Sequence, residues 1–245
     1  MRLHVLGSNS FGNCYILESD TEALIVEAGV RLSDIKKALK WNISKVVGAV
    51  ISHEHNDHAG YVSEFINSGI YVLANERVFS THRIESCSFR SPIEAGKGYK
   101  VGGFKIIPFN VVHDVPCYGF LIDHNDIGRI LFITDTMMCE YTFPGLNHIM
   151  IECNYAMDIL NKNIESGKLP MAMRSRLLQS HMELSITKDI LESNDLSDVV
   201  NIILIHLSDG NSDEERFVRE IQEITGKTVY AADKRLEIEL LKTPY

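Results

Sequence analysis

His53-Glu54-His55-Asn56-Asp57-His58 packs three imidazoles and an aspartate directly behind the apolar run Val46-Val47-Gly48-Ala49-Val50-Ile51. Imidazole and carboxylate suit zinc, manganese or iron. One short segment cannot aim all these groups at a single ion, so the pattern reads as ligands for two neighbouring ions. With His58 near the start of the next helix, His53 and His55 face one ion, and Asp57 and His58 the other. Single residues further along complete the two shells: His113, Asp135 and His206. Alone, each of these three reads more simply as a packed imidazole or a turn cap; the ordered set makes them ligands.

The elements that must position these groups are legible from where apolar runs stop. Val46 to Ile51 hands over to Ser52-His53. Phe104-Lys105-Ile106-Ile107 leads through Pro108 and Val111-Val112 to His113. Ile130-Leu131-Phe132-Ile133 ends at Thr134-Asp135, and Ile202-Ile203-Leu204-Ile205 ends at His206. In layered α/β folds, the carboxyl ends of buried strands are where sites are built on a rigid frame. The first thirty residues predict a hairpin: strands at 3–6 and 14–17 around a turn-rich stretch at 7–13, then a strand at 23–26. Helical spacing appears at Leu32, Ile35 and Leu39, around Val62, Phe65 and Ile66, and at Phe217, Ile221 and Ile224. Ser212 and Glu215 have the spacing of a capping box there. Gly96-Lys97-Gly98 and Gly102-Gly103 fit hairpin turns, because no phosphate-loop spacing surrounds them. His4, His82, His124 and His148 belong to no constellation and read as structural or exposed.

The whole chain bounds what such a site can serve. Its 245 residues, 45% hydrophobic and 23% charged, suffice for one full core. No linker, repeat or low-complexity tract marks a boundary, so residues 1–245 read as a single domain. The five scattered cysteines hold no Cys-x-x-Cys pair, which argues against a disulfide framework or a cysteine zinc ribbon. No window reaches the roughly 18 apolar residues of a membrane span, and the N-terminus lacks a signal core. The expectation is a cytoplasmic protein with no membrane partner. A net charge of -9 argues against a broad basic surface for long nucleic acid. It leaves room for a small or short anionic substrate, since ions in a pocket attract phosphate locally.

The ordered ligands resemble those of the metallo-β-lactamase-fold hydrolases, whose signature is His-x-His-x-Asp-His followed by single His, Asp and His after later strands. The resemblance runs from about Val5 to the C-terminus. It implies a four-layer αββα sandwich of the α/β class, with two mixed sheets face to face and the site at one edge between them. It assigns His53, His55 and His113 to a first ion, Asp57, His58 and His206 to a second, and Asp135 to both. Two divalent ions are implied, zinc first and manganese as the other candidate.

An aspartate rather than a cysteine at Asp135 separates the chain from the antibiotic-hydrolysing enzymes, and Cys139 is four residues too late to substitute. The opening Gly7-Ser8-x-Ser10-x-Gly12-Asn13 resembles the ribonuclease Z-like branch, most closely its small WalJ/YycJ-type nucleases. So do Glu152-x-Asn154-Tyr155, Ser180-His181-Met182-Glu183 and Leu204-Ile205-His206-Leu207-Ser208. Phage anti-Pycsar cyclic-nucleotide phosphodiesterases are similar in the same segments. The implied activity is hydrolysis of a nucleotide phosphodiester, with the acidic balance favouring cyclic or short nucleotides. A DNA or RNA exonuclease of the WalJ kind is the alternative, and a thioester or lactone hydrolase of the glyoxalase II kind a more distant one.

Paired ions about 3.5–4 Å apart bring a bridging water toward ionisation at neutral pH and offset charge on the phosphoryl oxygens. The leaving oxygen still needs a proton, and by resemblance that role falls to His181, with Asp135 as the other catalytic residue. Asn13 and Asn154 either touch substrate or end their strands. The stretch 155–180 carries Met157, Met171 and Met173 among Lys162, Lys168, Arg174 and Arg176. It reads as a lid or homodimer arm, or else as an amphipathic helix pair whose methionines fill core.

Overall fold

The apolar runs become strands covered on both faces. In the computed structural model, which describes residues 1–243, the first sheet starts with β1 (Arg2–Asn9), β2 (Gly12–Glu18) and β3 (Ala23–Val26). It continues through β4 (Val46–Ile51), β5 (Val72–Ala74) and β6 (Arg90–Pro92). The second sheet holds β7 (Tyr99–Val101), β8 (Phe104–Val111), β9 (Cys117–His124) and β10 (Gly128–Ile133). β11 (His148–Glu152), β12 (Asn201–Ile205) and β13 (Thr228–Ala231) complete it. The chain then returns in β14 (Glu237–Glu239) to pair with β1. The spatial orders are β14-β1-β2-β3-β4-β5-β6 and β13-β12-β11-β10-β9-β8-β7.

Alternation along the strands builds the layers, because successive side chains point to opposite faces. Leu17, Leu24, Val26 and Val50 of the first sheet meet Phe120, Phe132 and Ile203 of the second in the central core. Their neighbours Ile16, Ile25 and Ile51 face outward onto α1 (Leu32–Ala38), α3 (Val62–Asn67) and α4 (Glu76–Thr81), through Ile35, Phe65 and Phe79. A short α2 (Asn56–Ala59) sits between α1 and α3 in the chain. On the far side, Leu131, Ile151 and Leu204 pack under α7 (Leu184–Ser193) and α8 (Glu214–Thr225) through Leu191, Phe217 and Ile221. Helix, sheet, sheet, helix is the expected αββα sandwich. Between β11 and α7 the chain forms α5 (Met157–Glu165) and α6 (Met171–Ser180).

Strand direction places the site. β1 is antiparallel to β2, and β2 to β3, while β3, β4, β5 and β6 are mutually parallel. β8 and β10 are each antiparallel to β9, and β10 to β13 run parallel. The carboxyl ends of β1, β3 and β4 therefore share one edge of their sheet, as those of β8, β10, β11 and β12 do of theirs.

Several local expectations are corrected. The stretch at 7–13 is mostly strand: β1 runs to Asn9, β2 begins at Gly12, and only Ser10 and Phe11 turn the hairpin. The crowding there explains the glycines. A Cβ on Gly12 would stand 2.3 Å from Gly29 O, and one on Gly29 would stand 1.8 Å from Asp57 O. The capping box at Ser212 is not formed. Asp213 caps α8 by accepting from Arg216 N at 3.0 Å, and the Ser212 hydroxyl donates to Ser208 O instead. Ile224 lies on the exposed side of α8, and Met171 and Met173 of α6 face solvent rather than core.

Candidate metal centre

Each proposed ligand sits just past a strand, as the sequence reading required. His53 and His55 follow β4, Asp57 and His58 lie on α2, and His113, Asp135 and His206 follow β8, β10 and β12. The structure brings all seven together. His53, His55, His113 and Asp135 form one set, and Asp57, His58, Asp135 and His206 a second; in each, the ligand atoms lie within 4.8 Å of one another.

Asp135 belongs to both sets by splitting its carboxylate. Oδ2 lies 3.7 Å from His53 Nε2 and 4.0 Å from His113 Nε2, while Oδ1 lies 3.3 Å from His58 Nε2 and 3.6 Å from His206 Nε2. Asp57 Oδ2 is 3.4 Å from His58 Nε2 and 3.5 Å from His206 Nε2. Good N–H···O bonds measure about 2.7–3.2 Å. Ligands about 2.0–2.1 Å from a tetrahedral ion stand roughly 3.3 Å apart. The spacing therefore matches coordination better than hydrogen bonding, and the buried His53 Nε2 has no hydrogen-bond partner. The donor set fits two divalent ions. From the solvent side, Asp114 Oδ1 reaches His113 Nε2 at 3.1 Å.

The imidazoles are held by their other nitrogens or by neighbouring groups, which fixes ring orientation. Ser52 Oγ lies 2.9 Å from His53 Nδ1. Asn154 Nδ2 lies 3.1 Å from His206 Nδ1 and donates to His206 O at 2.7 Å. Glu27, fully buried, accepts from Ser52 N and stands 3.6 Å from His58 Nδ1. Asn13 Nδ2 is 3.0 Å from His58 Nε2 and donates to Asp57 O at 3.3 Å. Both asparagines thus hold the site's frame. Glu27, Asp135 and His206 have φ of +69°, +47° and +54°, conformations that non-glycine residues keep only where the surroundings enforce them.

The electrostatics follow from burial and crowding. Burial alone would raise the Asp135 carboxyl, but His206 and His58 outweigh it and hold it well below the usual carboxylate range. Burial would lower His206, yet Asp135, Asp57 and Glu152 push it up to about 10. His53 goes the other way: burial, then the charge of His58, depress it.

His181 lies beyond the seven, between α6 and α7. Its Nδ1 is 2.7 Å from Glu152 Oε1, and its ring stacks on His206 at a centroid distance of 5.3 Å and an angle of 15°. Burial would lower the His181 pKa; the charge and hydrogen bond of Glu152 overcome it and raise it. Glu152 Oε2 also accepts from Thr136 N at 3.0 Å, so both carboxylate oxygens are engaged. Asp135, Glu152, His181 and His206 make a third cluster of potential ligand atoms. Glu152, like Glu27, had no assigned role in the sequence reading. The signal was present: His148-Ile149-Met150-Ile151-Glu152 is another buried run ending in a carboxylate.

Residues 7–86 match the family model of the metallo-beta-lactamase superfamily. The chain is 25% identical to the exodeoxyribonuclease YycJ of Bacillus anthracis over 256 residues, which covers 97% of this chain and 95% of that protein. It is 26% identical to the exodeoxyribonuclease WalJ of Streptococcus pneumoniae serotype 2 over 196 residues, 74% of this chain and 71% of that one. Among solved structures, the metallo-beta-lactamase fold protein YhfI of Bacillus subtilis superposes with a TM-score of 0.73 at 16% identity, over 97% of this chain and 98% of that chain.

Proposed function

We propose that this chain, a metallo-β-lactamase-superfamily hydrolase similar to the YycJ and WalJ exonucleases, cleaves a phosphodiester bond of a nucleotide substrate at a dinuclear metal centre. The observation that carries the reading is the division of Asp135, one oxygen toward His53 and His113 and the other toward His58 and His206. In this reading His53, His55, His113 and Asp135 hold one ion, and Asp57, His58, His206 and Asp135 the other. Zinc is the first candidate and manganese the second, since imidazole and carboxylate serve both. Such ions, when bound, supply an activated water and offset the charge of the phosphate.

The protein's own groups do the rest. Glu152 engages His181 Nδ1 and supports its protonated form, which leaves Nε2 to give a proton to the departing oxygen. The His181 side chain is 18% exposed, so it is reachable from solvent while its partner is buried. The relatives named as exodeoxyribonucleases favour a DNA strand end as substrate. The net charge of -9 favours a short or cyclic nucleotide. A dinucleotide is the smallest molecule that serves both.

We further place the chain as a single domain and a homodimer, with exposed Met171 and Met173 of α6 as candidate contact. A reducing, cytoplasmic setting suits the buried free thiols of Cys14, Cys117 and Cys153. The test is incubation of zinc- or manganese-loaded protein with cyclic nucleotides, dinucleotides, end-labelled strands and S-lactoylglutathione, followed by mass spectrometry. Nucleoside monophosphate as product supports the reading; turnover of the thioester alone rejects it.

A further inference from the structure

Phe11 has no folding reason to be where it is. It is one of the two residues turning the β1–β2 hairpin, positions where Asn, Asp and Gly normally serve, and it is 86% exposed. The turn is held by Asn9 Oδ1, which accepts from Phe11 N at 3.0 Å. The ring is not needed for it.

The hairpin itself is fastened to the metal-ligand loops on both sides. Ser8 Oγ accepts from His206 N at 2.9 Å, and Asn13 O accepts from Gly29 N at 2.9 Å while its side chain binds Asp57 O. The phenyl ring is therefore carried at the lip of the site on a fixed support. It lines a groove of about 450 Å³ together with Asp57, Gly29 and Tyr61. Phe11 also lines a second groove, of about 460 Å³, with Leu207 and Ser208, the residues that follow His206 in the chain. The Arg31 guanidinium carbon stands 5.9 Å from the Tyr61 ring centre, so a cation adjoins the first groove.

We propose that Phe11, with Tyr61 in the same groove, is a stacking subsite for the nucleobase attached next to the scissile phosphate. The inference rests on the nucleotide reading above. An exposed ring offers a flat apolar face to any base, so the contact would contribute affinity with little base preference. Phe11 would be a specificity residue that distinguishes a nucleotide from a bare phosphodiester, and it would take no part in the chemical step.

The test compares a thymidine dinucleotide with the same molecule made abasic at both sugars, using metal-loaded wild type, Phe11→Ala and Phe11→Trp. The expected result is a KM for the dinucleotide raised about 10- to 100-fold in Phe11→Ala and kept in Phe11→Trp, with kcat little changed, given the size of base–aromatic stacking. The abasic compound should show no difference among the three proteins. A binding readout comes from the double variant Trp41→Phe, Phe11→Trp, where the introduced indole is the chain's single tryptophan. A phosphorothioate dinucleotide should quench it and the abasic analogue should not. Equal effects of Phe11→Ala on both compounds, or no effect on either, overturn the subsite alone. Failure of the wild type to cleave either compound, or any cyclic nucleotide or labelled strand of the panel above, overturns the nucleotide reading itself.

Discussion

Glu152 Oε1 lies 2.7 Å from His181 Nδ1, with the carboxylate fully buried and the imidazole partly open to solvent. A buried carboxylate that both orients an imidazole and supports its charged form makes a proton donor. The same carboxylate accepts from Thr136 N, in the loop that carries Asp135, so the candidate donor His181 and the candidate metal frame are built as one unit.

Removing the donor should matter most where the leaving group needs it. His181→Ala should keep its metal content yet lose about 10²- to 10⁴-fold in kcat on a dinucleotide, whose leaving alkoxide must be protonated. Bis(p-nitrophenyl) phosphate, whose leaving group departs unprotonated, should be far less affected. Glu152→Gln should follow the same pattern more weakly. A uniform loss on both substrates, or loss of metal in His181→Ala, would show that His181 serves the metal shells.

Glu27 tests the support of the second ion. It is fully buried, engages Ser52 N and stands beside His58 Nδ1. Groups of this kind typically contribute about 10- to 100-fold in metal affinity. Glu27→Gln should weaken binding of one ion by that much in a chelator competition and leave the other unchanged. Unaltered affinity for both would remove Glu27 from the account.

A stability prediction lies away from the metals. Burial pushes the His148 imidazole down to about 4 from its ordinary 6.5. Between those values the unfolded chain binds a proton that the folded one refuses, so stability rises with pH there. The contribution is fully present above about pH 6.5 and is lost as pH falls, at about 1.4 kcal/mol per pH unit. Denaturant titrations at pH 6.5 and 5.0 should show His148→Gln losing about 2 kcal/mol less than wild type. Equal losses would mean that His148 takes up its proton without cost.

What the sequence made legible, and what it hid, divides along physical lines. The seven candidate ligands stood out because each follows an apolar run long enough to be a buried strand, and four such strands ended on His or Asp. Strand direction then gathers them on neighbouring edges. The supporting layer was harder to see. Glu27 follows only a four-residue strand and takes an unusual φ, and Glu152 closes a run that begins with a histidine. The hairpin at 7–13 looked like loop because Gly, Ser and Asn signal turns, whereas here Gly7 and Gly12 admit close backbone contact between β1, β2 and the chain at Gly29. For α8, Ser212 and Asp213 both offer capping side chains, and local geometry chose Asp213.

Asp135 joins the two sets, so its removal should undo both. Asp135→Asn should bind less than one ion per chain under conditions that load wild type with two, and should lose turnover. Retention of two ions would show that the sets hold metal independently.

Whether two ions make the site is decided by titrating metal-free protein with zinc, following bound metal and dinucleotide hydrolysis in the same samples. Hydrolysis should rise to a maximum at two equivalents per chain and yield nucleoside monophosphate. Full activity at one equivalent, or none at any loading with two ions bound, would contradict it.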